Sequence, residues 1–476
     1  MKVLFAASEV NPFAKVGGLA DVMGSLPAAL KKNGVDARVI MPKYSVIAQQ
    51  YKDRMEYVGY TFVSLGWRNQ YAGLMRMNYN GVTVYFVDNE YYFHGGSVYG
   101  EMCAEAEKYA FFCKAVLALL PVMGFTPDIL HCNDWQTGMI PVLLKREYAG
   151  LKIKSVMTIH NLKYQGTFSI DALKDYFGLP DSDFTAETLE FYGGASFLKG
   201  GLVFADKITT VSPTYAQETQ TSYFGEKMDG ILRARACDYY GILNGIDTEE
   251  FDPQNDPFTA SPFCAENMEG KRVCKETLQR EAGLAVDADV PLIGMVTRLY
   301  DQKGCAMLEE QLWELLSKED FQLVVLGTGE KRYESLFRNA QRCYNTRVAA
   351  LMRYDNAMAH RIYAGADFFL MPSLFEPCGL SQMIAMRYGT LPIVRETGGL
   401  KDTVEPYNQY EQTGNGFSFS EANAYDMAFT VRMALRVYRD EKQAFDMLVR
   451  RAMKRDFSWG KSAAAYEELY RSLLKA

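Results

Sequence analysis

Short apolar runs alternate with longer amphipathic segments along almost the whole sequence, and this alternation constrains the fold more than any other feature. Many of the runs are apolar at nearly every position, which is typical of strands buried on both faces of a parallel sheet. The segments between them, such as residues 106–123 and 309–319, are amphipathic, as expected of helices that cover a sheet. The sequence therefore predicts an α/β fold with doubly wound sheets. The predicted strands are residues 2–8, 36–42, 82–88, 128–134, 154–161, 207–213, 240–247, 291–298, 321–329, 346–354, 367–373 and 390–397.

The chain length and one turn-rich segment predict two domains. A chain of 476 residues is too long for one ordinary core. The segment NGIDTEEFDPQNDP, which begins at Asn244, is rich in turn-forming residues and follows the first series of strands. We therefore expect one Rossmann-like domain over residues 1–243, a second over 244–456, and a helix over the tail at 457–476.

Charge and cysteine usage argue against several classes of protein. The formal net charge is −7 with both signs interspersed, which does not suit broad nucleic-acid binding. No run of about 18 apolar residues occurs, so we expect no membrane span, and the start of the sequence does not have the pattern of a signal peptide. The nine cysteines form no C-x-x-C pair, which favours free thiols in a reducing cytoplasm over disulfides or a zinc site.

Polar residues and glycines are concentrated where the predicted strands end. In open parallel sheets, ligands bind beyond the carboxyl ends of the strands. Taken singly, each such residue has an ordinary structural explanation, such as a helix cap or a turn, and only their shared position indicates a binding site. These residues are Ser8, Glu9, Lys15, Gly17, Gly18, Asp134, His160, Asn161, Asn244, Arg298, Lys303, Glu376, Cys378, Gly379, Leu380, Thr397, Gly398 and Gly399.

The chemistry of these residues suits an anionic ligand. Arg298 and Lys303 place two cations in one loop, and Gly379 stands where a helix is expected to begin, so backbone N–H groups can meet a phosphate there. The glycine pairs at 17–18 and 398–399 let the backbone approach a ligand closely. Together they predict a cradle for a diphosphate, and hence a nucleotide-sugar donor whose leaving diphosphate gains charge.

Neither a metal nor an organic cofactor is expected. Glycosyltransferases that use a metal carry Asp-x-Asp at the end of an apolar strand. Here Asp181 and Asp183 lie in a polar segment, and Asp287 and Asp289 precede a strand. We therefore predict that the protein works without a divalent ion.

Seven motifs spread over most of the chain combine these strand-end residues. They are KVGGLADV (15–22), HCNDWQTG (131–138), TIHNLKYQG (158–166), ILNGID (242–247), RLYDQKG (298–304), PSLFEPCGLSQ (372–382) and TGGLKDTV (397–404). Together and in this order they resemble the motifs of bacterial glycogen synthase and plant starch synthase. The resemblance implies the GT-B architecture, in which two Rossmann-like domains face each other across a cleft. It also implies retaining transfer of glucose from ADP-glucose to the non-reducing 4-OH of an α-1,4-glucan.

In the first domain, the resemblance implies residues that act on the donor sugar and the acceptor. Lys15 matches the family's donor-binding lysine, and His160 resembles the residue beside C1 and the 6-OH of the sugar. Asp134, together with Asn244 at the predicted start of the second domain, matches polar residues that line the sugar pocket, and the C-terminal helix is expected to return to the first domain. Further substrate-binding positions in the matched motifs are Gly17, Gly18, Asp21 and Asn161.

In the second domain, the resemblance implies residues that hold the nucleotide sugar. Arg298 and Lys303 match the phosphate-binding pair, and Tyr354 resembles the aromatic residue that stacks on adenine. Glu376 matches the group that holds the glucose hydroxyls. Further positions in the matched motifs are Cys378, Gly379, Leu380, Thr397 and Gly398.

Two positions raise questions about this pattern. Many GT-B enzymes carry a second glutamate where this sequence has Ile384, so ribose recognition must come from elsewhere. Pro27 falls inside the first predicted helix and should kink or delay it.

The sequence does not identify a nucleophile for a double displacement, so we favour a same-face route. In that route the leaving phosphate oxygen takes the acceptor proton, and the backbone carbonyl of His160 stabilises positive charge near C1.

Three alternatives remain open from the sequence. One is a GT-B glucosyltransferase that uses UDP-glucose, and another is an α-glucan phosphorylase, which needs a pyridoxal cofactor on a lysine. The third is a non-catalytic glucan- or nucleotide-binding protein. The joint presence of Lys15, Arg298, Lys303 and Glu376 disfavours the third alternative.

Overall fold

The computed structural model describes residues 1–475, apart from the side chains of residues 102 and 103. These residues form two compact units, one of residues 1–245 with the C-terminal helix from Trp459 onward, and one of residues 246–458. Each unit is a Rossmann-like α/β domain built on a largely parallel sheet, which confirms the predicted fold class.

The first unit contains a nine-stranded sheet and a separate three-stranded one. Its strands are β1 (Lys2–Ala6), β2 (Asp36–Pro42), β3 (Glu56–Leu65), β4 (Arg68–Tyr79), β5 (Val82–Asp88), β6 (Ile129–Asn133), β7 (Lys154–Ile159), β8 (Thr167–Phe168), β9 (Glu190–Phe191), β10 (Gly194–Ser196), β11 (Lys207–Thr210) and β12 (Tyr239–Gly241). The large sheet has the order β12-β11-β7-β6-β1-β2-β5-β4-β3, and among the described residues only β4, which pairs antiparallel with both β3 and β5, runs against the other strands. The central strand β1 is buried from Val3 to Ala6. The carboxyl ends of β1, β6 and β7 are therefore adjacent.

The second unit contains one six-stranded parallel sheet. Its strands are β13 (Leu292–Val296), β14 (Gln322–Leu326), β15 (Val348–Leu351), β16 (Phe368–Met371), β17 (Leu391–Arg395) and β18 (Phe417–Phe419). The order is β15-β14-β13-β16-β17-β18, which is the order of a dinucleotide-binding Rossmann sheet. The order reverses between β13 and β16, so the loops after these two strands flank the point where such sheets bind ligands.

Helices connect most of the parallel strands. They are α1 (Gly18–Lys32), α2 (Gln49–Lys52), α3 (Glu90–Phe93), α4 (Met102–Ala118), α5 (Leu120–Met123), α6 (Met139–Arg146), α7 (Ile170–Phe177), α8 (Phe197–Phe204), α9 (Pro213–Glu218), α10 (Asp229–Ala234), α11 (Glu269–Glu281), α12 (Cys305–Lys318), α13 (Lys331–Cys343), α14 (Asn356–Gly365), α15 (Ser381–Arg387), α16 (Gly398–Thr403), α17 (Ala424–Asp440), α18 (Lys442–Lys454) and α19 (Trp459–Lys475). Five single 3₁₀ turns lie at Trp135–Thr137, Ala149–Leu151, Asp181–Asp183, Ala236–Asp238 and Asp301–Lys303. Within residues 1–475, no helix combines the length and the apolar character that crossing a bilayer would require.

The C-terminal helix α19 packs against α1 in the first unit. The hydroxyl of Tyr470 lies 2.5 Å from Nδ1 of His131, whose Nε2 lies 2.5 Å from the Thr158 hydroxyl. Burial lowers the pKa of His131 to about 3, so the imidazole is neutral. The neutral ring thus joins the tail to β6 and β7 at the centre of the sheet.

Several predicted elements differ from the structure. The strand predicted over 240–247 is limited to β12, which ends at Gly241, where a Cβ would lie 2.3 Å from the Ser212 carbonyl. The helix predicted over 106–123 is divided between α4 and α5, with Pro121 in the first turn of α5. Pro27 does not delay the first helix, since α1 begins at Gly18 and continues to Lys32.

Candidate active site

The Lys15–Gly18 segment follows β1 and leads into α1, and all four of its residues are exposed. The Lys15 ammonium lies 2.6 Å from the Asp21 carboxylate in the first turn of the helix. Burial raises the pKa of Asp21, and the neighbouring ammonium only partly offsets this effect. The structure therefore joins two of the predicted residues, Lys15 and Asp21, at the start of α1.

Gly17 and Gly18 leave open space beside the backbone. A Cβ built on either residue would meet no atom within 4 Å. The backbone of Gly17 is extended, with φ −140°, so its conformation does not require glycine. Local packing therefore does not require glycine at either position, and the space beside both residues is open.

Asp134 occupies a strained position directly after β6. Its φ of 55° and ψ of 179° belong to a region that few residues other than glycine adopt. The Oδ1 atom accepts a hydrogen bond of 2.7 Å from the His160 amide. Burial and the charge of Glu9 raise the pKa of Asp134 to about 7, although the amides of His160 and Asn161 oppose this rise. Asp134 thus links the ends of β6 and β7 and can change protonation near neutral pH.

His160 follows β7 and carries no positive charge. Its Nε2 lies 2.9 Å from Oδ1 of Asn133, whose amide nitrogen donates to the Ala6 carbonyl. Because the Asn133 oxygen must accept, Nε2 of His160 donates. Burial lowers the pKa of the imidazole to about 3, so the ring cannot supply a cation at neutral pH. The neighbouring Asn161 side chain accepts from the Lys163 amide at 3.1 Å and supports the loop.

Asn244 lies just beyond β12 and is buried. Within the described part of the chain, its Oδ1 has no hydrogen-bond partner. An unpaired buried amide oxygen costs about 1–3 kcal/mol. The oxygen is therefore suited to accept a hydrogen bond from a ligand hydroxyl.

In the second unit, Lys303 and Glu376 form an ion pair. The ammonium lies 2.6 Å from Oε2 of Glu376, and the Ser373 hydroxyl donates to the same oxygen at 2.9 Å. Both charged side chains are largely buried, 18% and 10% exposed. The loops after β13 and β16 are thus joined at the point where the strand order reverses.

Arg298 lies on the same loop as Lys303 but is exposed. Its guanidinium carbon is 5.9 Å from the centre of the Tyr300 ring. The predicted cation pair therefore consists of one buried ammonium with a carboxylate partner and one exposed guanidinium.

The glycines at 398 and 399 bring two backbone segments into contact. A Cβ on Gly398 would lie 2.0 Å from the Glu376 carbonyl, and one on Gly399 would lie 2.1 Å from the Cys378 carbonyl. The Gly399 amide donates to the Glu376 and Pro377 carbonyls, each at 3.2 Å. The TGG segment with Thr397 therefore buttresses the turn of Glu376, Cys378, Gly379 and Leu380 that precedes α15, and Gly379 adopts φ 70° in that turn.

Tyr354 lies on the loop after β15, and its side chain is 84% exposed. Because so little of the ring packs against the protein, both of its faces are accessible to a planar ligand. Ile384, at the position where relatives carry a glutamate, is buried in α15 and offers no polar atom.

Three residues organise this site in roles that the sequence did not predict. Glu9 accepts from the amides of Val16 and Gly17, Asn133 orients His160, and Ser373 donates to Glu376. Glu9 and Asn133 do stand at strand ends, and Ser373 stands three residues before Glu376. What identifies their roles is the contact across the fold.

Within the described side chains, no group of three or more His, Cys, Asp or Glu residues could hold a metal ion. Asp181 pairs with Lys174 at 2.9 Å, and Asp183 pairs with Arg146. Eight cysteines are free thiols, and the ninth, Cys103, lies outside the described side chains.

Comparisons with known proteins agree with this arrangement. Residues 2–234 match the family profile described as starch synthase catalytic domain, and residues 290–436 match that of glycosyl transferases group 1. The glycogen synthase of Geobacillus thermodenitrificans is 51% identical over 479 residues, covering 100% of this chain and 98% of that protein. The glycogen synthase of Lachnoclostridium phytofermentans is 50% identical over 479 residues, covering 99% of this chain and 100% of that protein.

Two solved structures are also similar. The catalytic domain of starch synthase IV from Arabidopsis thaliana, bound to ADP and acarbose, has a TM-score of 0.92 and 34% identity, covering 100% of this chain and 99% of that chain. Sucrose-phosphate synthase from Thermosynechococcus elongatus has a TM-score of 0.63 and 17% identity over 100% of this chain and 99% of that chain, a likeness of fold alone.

Proposed function

Because the chain belongs to the glycogen synthase family of glycosyltransferases, we propose that it elongates an α-1,4-glucan with glucose from ADP-glucose. The transfer goes to the non-reducing 4-OH with retention of configuration. The observation that carries this proposal is the joint placement of Arg298, Lys303 and Glu376 on loops that flank the sheet reversal of the second unit. Binding of the nucleotide sugar is accordingly assigned to the second unit, residues 246–458, and the acceptor side to the first unit.

Arg298 and Lys303 bind the diphosphate in this proposal. Breaking the bond between sugar and phosphate builds negative charge on the departing diphosphate, and cations placed beforehand stabilise that charge. Arg298 is exposed and can reach outward, whereas Lys303 is held by Glu376. The exposed Tyr354 stacks on the adenine, and the glucose hydroxyls bind Glu376 and the backbone of Cys378, Gly379 and Leu380.

The residues of the first unit act on the sugar and on the leaving group. Lys15 meets the diphosphate, which approaches through the open space beside Gly17 and Gly18. Asp134 and the unpaired Oδ1 of Asn244 accept hydrogen bonds from sugar hydroxyls. Because Asp134 has a pKa of about 7, its acceptor strength falls as the pH is lowered through neutrality.

The reaction follows a same-face route. The bond between C1 and the phosphate oxygen breaks while the acceptor O4 bonds to C1 from the same face, and the proton of the 4-OH passes to the leaving phosphate oxygen. ADP and the lengthened glucan are the products. The His160 ring is neutral, so positive charge near C1 is stabilised by a dipole, the backbone carbonyl of His160, rather than opposed by an imidazolium.

The donor test compares nucleotide sugars directly. Pure protein is incubated with glycogen and labelled ADP-glucose or UDP-glucose, and radioactivity is counted in the precipitated polymer. We expect ADP-glucose to label the polymer faster, and an exo-acting α-glucosidase to release the label as glucose because the new terminal bond is an α-linkage. Faster labelling from UDP-glucose would support the other glucosyltransferase, and incorporation from glucose 1-phosphate without a nucleotide would support a phosphorylase.

We also propose that the protein is cytoplasmic, since the eight described free thiols suit a reducing compartment.

A further inference from the structure

Glu9 is a buried carboxylate directly beneath the Lys15–Gly18 segment. It lies three residues after β1 and is 4% exposed. Its Oε2 atom accepts hydrogen bonds from the Val16 amide at 2.6 Å and from the Gly17 amide at 2.8 Å. Two backbone donors therefore converge on one carboxylate oxygen.

The second carboxylate oxygen of Glu9 is also hydrogen-bonded. Oε1 accepts from the Tyr99 hydroxyl at 2.5 Å, and this hydroxyl lies 3.0 Å from the Ser8 hydroxyl. Hydrogen bonds to a charged acceptor are shorter and about twice as strong as neutral ones. The carboxylate is thus clamped between the body of the unit and the exposed segment above it.

This geometry decides which amides of the segment can meet a phosphate. The N–H groups of Val16 and Gly17 point inward to Glu9, so they are not available to a ligand. The next amides, of Gly18 and Leu19, belong to the first turn of the 15-residue helix α1, where N–H groups lack an intrahelical acceptor. Lys15 stands on the other side of the clamped pair, where its ammonium meets Asp21.

We propose that Glu9 is a positioning residue, which clamps Val16 and Gly17 so that the Lys15 ammonium and the open start of α1 are held toward the leaving diphosphate. The inference rests on the proposed function, because it names how Lys15 is held for that reaction. Glu9 itself touches no substrate and acts through the segment. Loss of the clamp should lower kcat more than it raises the KM for the donor, because the main donor-binding groups belong to the second unit.

The test compares Glu9→Ala with Glu9→Gln in the full-length protein. A glutamine keeps the size of the side chain, and its Oε1 can accept from both amides while its Nε2 donates to the Tyr99 oxygen. We expect Glu9→Ala to lose at least tenfold in kcat with the KM for ADP-glucose within about threefold, and Glu9→Gln to retain at least a third of the wild-type kcat. Asp206→Ala is the matched control, since it removes another largely buried carboxylate of the same unit, one that accepts from Lys145 and Ser155. It should keep wild-type kcat.

A double-mutant cycle separates positioning from a general loss of structure. If Glu9 acts through Lys15, then Glu9→Ala should add less than about twofold to the loss in a Lys15→Ala background. Multiplicative losses in the cycle, or equal losses in Glu9→Gln and Glu9→Ala, would overturn the proposal, as would a Glu9→Ala enzyme with wild-type kcat.

Hydrogen exchange of the backbone amides tests the clamp independently of enzyme activity. The amides of Val16 and Gly17 should exchange slowly despite the exposure of their segment, and Glu9→Ala, or Tyr99→Phe if the former does not fold, should speed their exchange at least tenfold. Fast exchange of both amides in the wild type would exclude the clamp. If the Val16 and Gly17 amides of the wild type exchange slowly but the protein transfers no glucose from ADP-glucose, the proposed function is refuted. The clamp would then be a structural feature only, and its role in catalysis would be rejected.

Discussion

The Lys303 ammonium lies 2.6 Å from the Glu376 carboxylate, although the two residues are 73 positions apart in the chain. The pair joins the residue proposed for the phosphates to the residue proposed for the sugar hydroxyls. Its two side chains are largely buried, so neither charge can be removed without leaving the other poorly solvated. The proposed recognition of the donor and the local stability therefore depend on the same contact.

Lys303→Ala should abolish most activity while the fold survives. Loss of one preorganised charge at a leaving diphosphate costs about 10²–10³ in rate. The Glu376 carboxylate keeps the Ser373 hydroxyl as a partner, so we expect a destabilisation near the lower end of the about 3–5 kcal/mol for a broken buried ion pair, which a domain of ordinary stability tolerates. Transfer of labelled glucose to glycogen and thermal unfolding measure the two effects.

Two further variants interpret that result. Lys303→Ala with Glu376→Gln should recover part of the lost stability but none of the activity, because the unpaired charge is gone while the phosphate partner is still missing. Lys318→Ala, which removes an exposed lysine paired with Glu314 in the same unit, should change neither property. An unfolded Lys303→Ala protein would give Lys303 a structural role instead.

Gly17→Ala should lower activity without lowering stability. The new methyl group meets no atom of the protein within 4 Å, and the extended backbone accepts alanine. The methyl group would instead occupy space proposed for the diphosphate, so we expect kcat/KM to fall at least tenfold with a melting temperature within about 2 °C of the wild type.

Two glycines provide the comparison for this variant. Gly150→Ala also adds a methyl group in open space of the first unit and should be silent. Gly399→Ala would place its Cβ 2.1 Å from the Cys378 carbonyl and should destabilise the second unit strongly. Wild-type kinetics for Gly17→Ala would remove the backbone of this segment from the site.

The sequence predicted the strand ends well because each parallel strand is a continuous apolar run. The residues that follow β1, β6, β7, β13 and β16 were therefore identified before their contacts were known. The hairpin of β3 and β4 was missed, since its outward face carries Tyr60 and Phe62 and a bulge between Tyr57 and Gly59 interrupts the period of two. In β3, apolar residues therefore lie on both faces, so the alternation of apolar and polar residues that usually marks an antiparallel strand is interrupted there.

Contacts between loops could not be predicted from the sequence. The clamp of Glu9 on Val16 and Gly17, and the pairing of Lys303 with Glu376, depend on the order of strands and on loop conformation. The same holds for Gly398 and Gly399, which the sequence suggested as ligand contacts and which the structure shows packed on the Glu376–Cys378 backbone. Residue type and position indicated the chemistry of the site, but which groups each side chain contacts could be known only from the fold.

Asp134 should make stability fall as the pH rises toward neutrality. Its pKa is about 7 in the folded protein against an ordinary value of 3.8, so between these values the folded state holds a proton that the unfolded state has released. The stabilisation from this group is complete below pH 3.8 and is lost as the pH rises through 7, at about 1.4 kcal/mol for each unit of pKa difference. Asp134→Asn keeps an acceptor oxygen for the His160 amide and does not titrate.

The difference in melting temperature between the wild type and Asp134→Asn isolates the effect of Asp134. His131 and His160, whose pKa values are lowered to about 3, destabilise both proteins alike as the pH falls below 6.5. Calorimetric melting temperatures at pH 5 and pH 8 should therefore show Asp134→Asn gaining on the wild type at pH 8. A constant difference at both values would mean that Asp134 titrates in its ordinary range.

Removal of divalent ions should leave the reaction rate unchanged. The cations proposed at the diphosphate are side chains, Lys15, Arg298 and Lys303, and a group that stabilises the leaving charge in place makes a metal unnecessary. Initial rates with excess EDTA and with added Mg²⁺ or Mn²⁺ should agree within about twofold. A loss of turnover in EDTA that Mg²⁺ reverses would contradict this prediction. The metal would then need ligands other than a cluster of the described side chains.

Tyr354→Ala should weaken donor binding without altering the fold. The ring is 84% exposed, so its removal costs almost no packing, whereas stacking of a base on an aromatic ring contributes about 1–3 kcal/mol. We expect the KM for ADP-glucose to rise about 5- to 100-fold with a smaller change in kcat, and Tyr354→Phe to stay near the wild type because the ring is retained. Tyr410→Ala is the matched control, since that side chain is 88% exposed in the same unit and lies outside the proposed site. If the Tyr354→Ala and Tyr410→Ala enzymes had the same KM as the wild type, the adenine would have to be held by another residue.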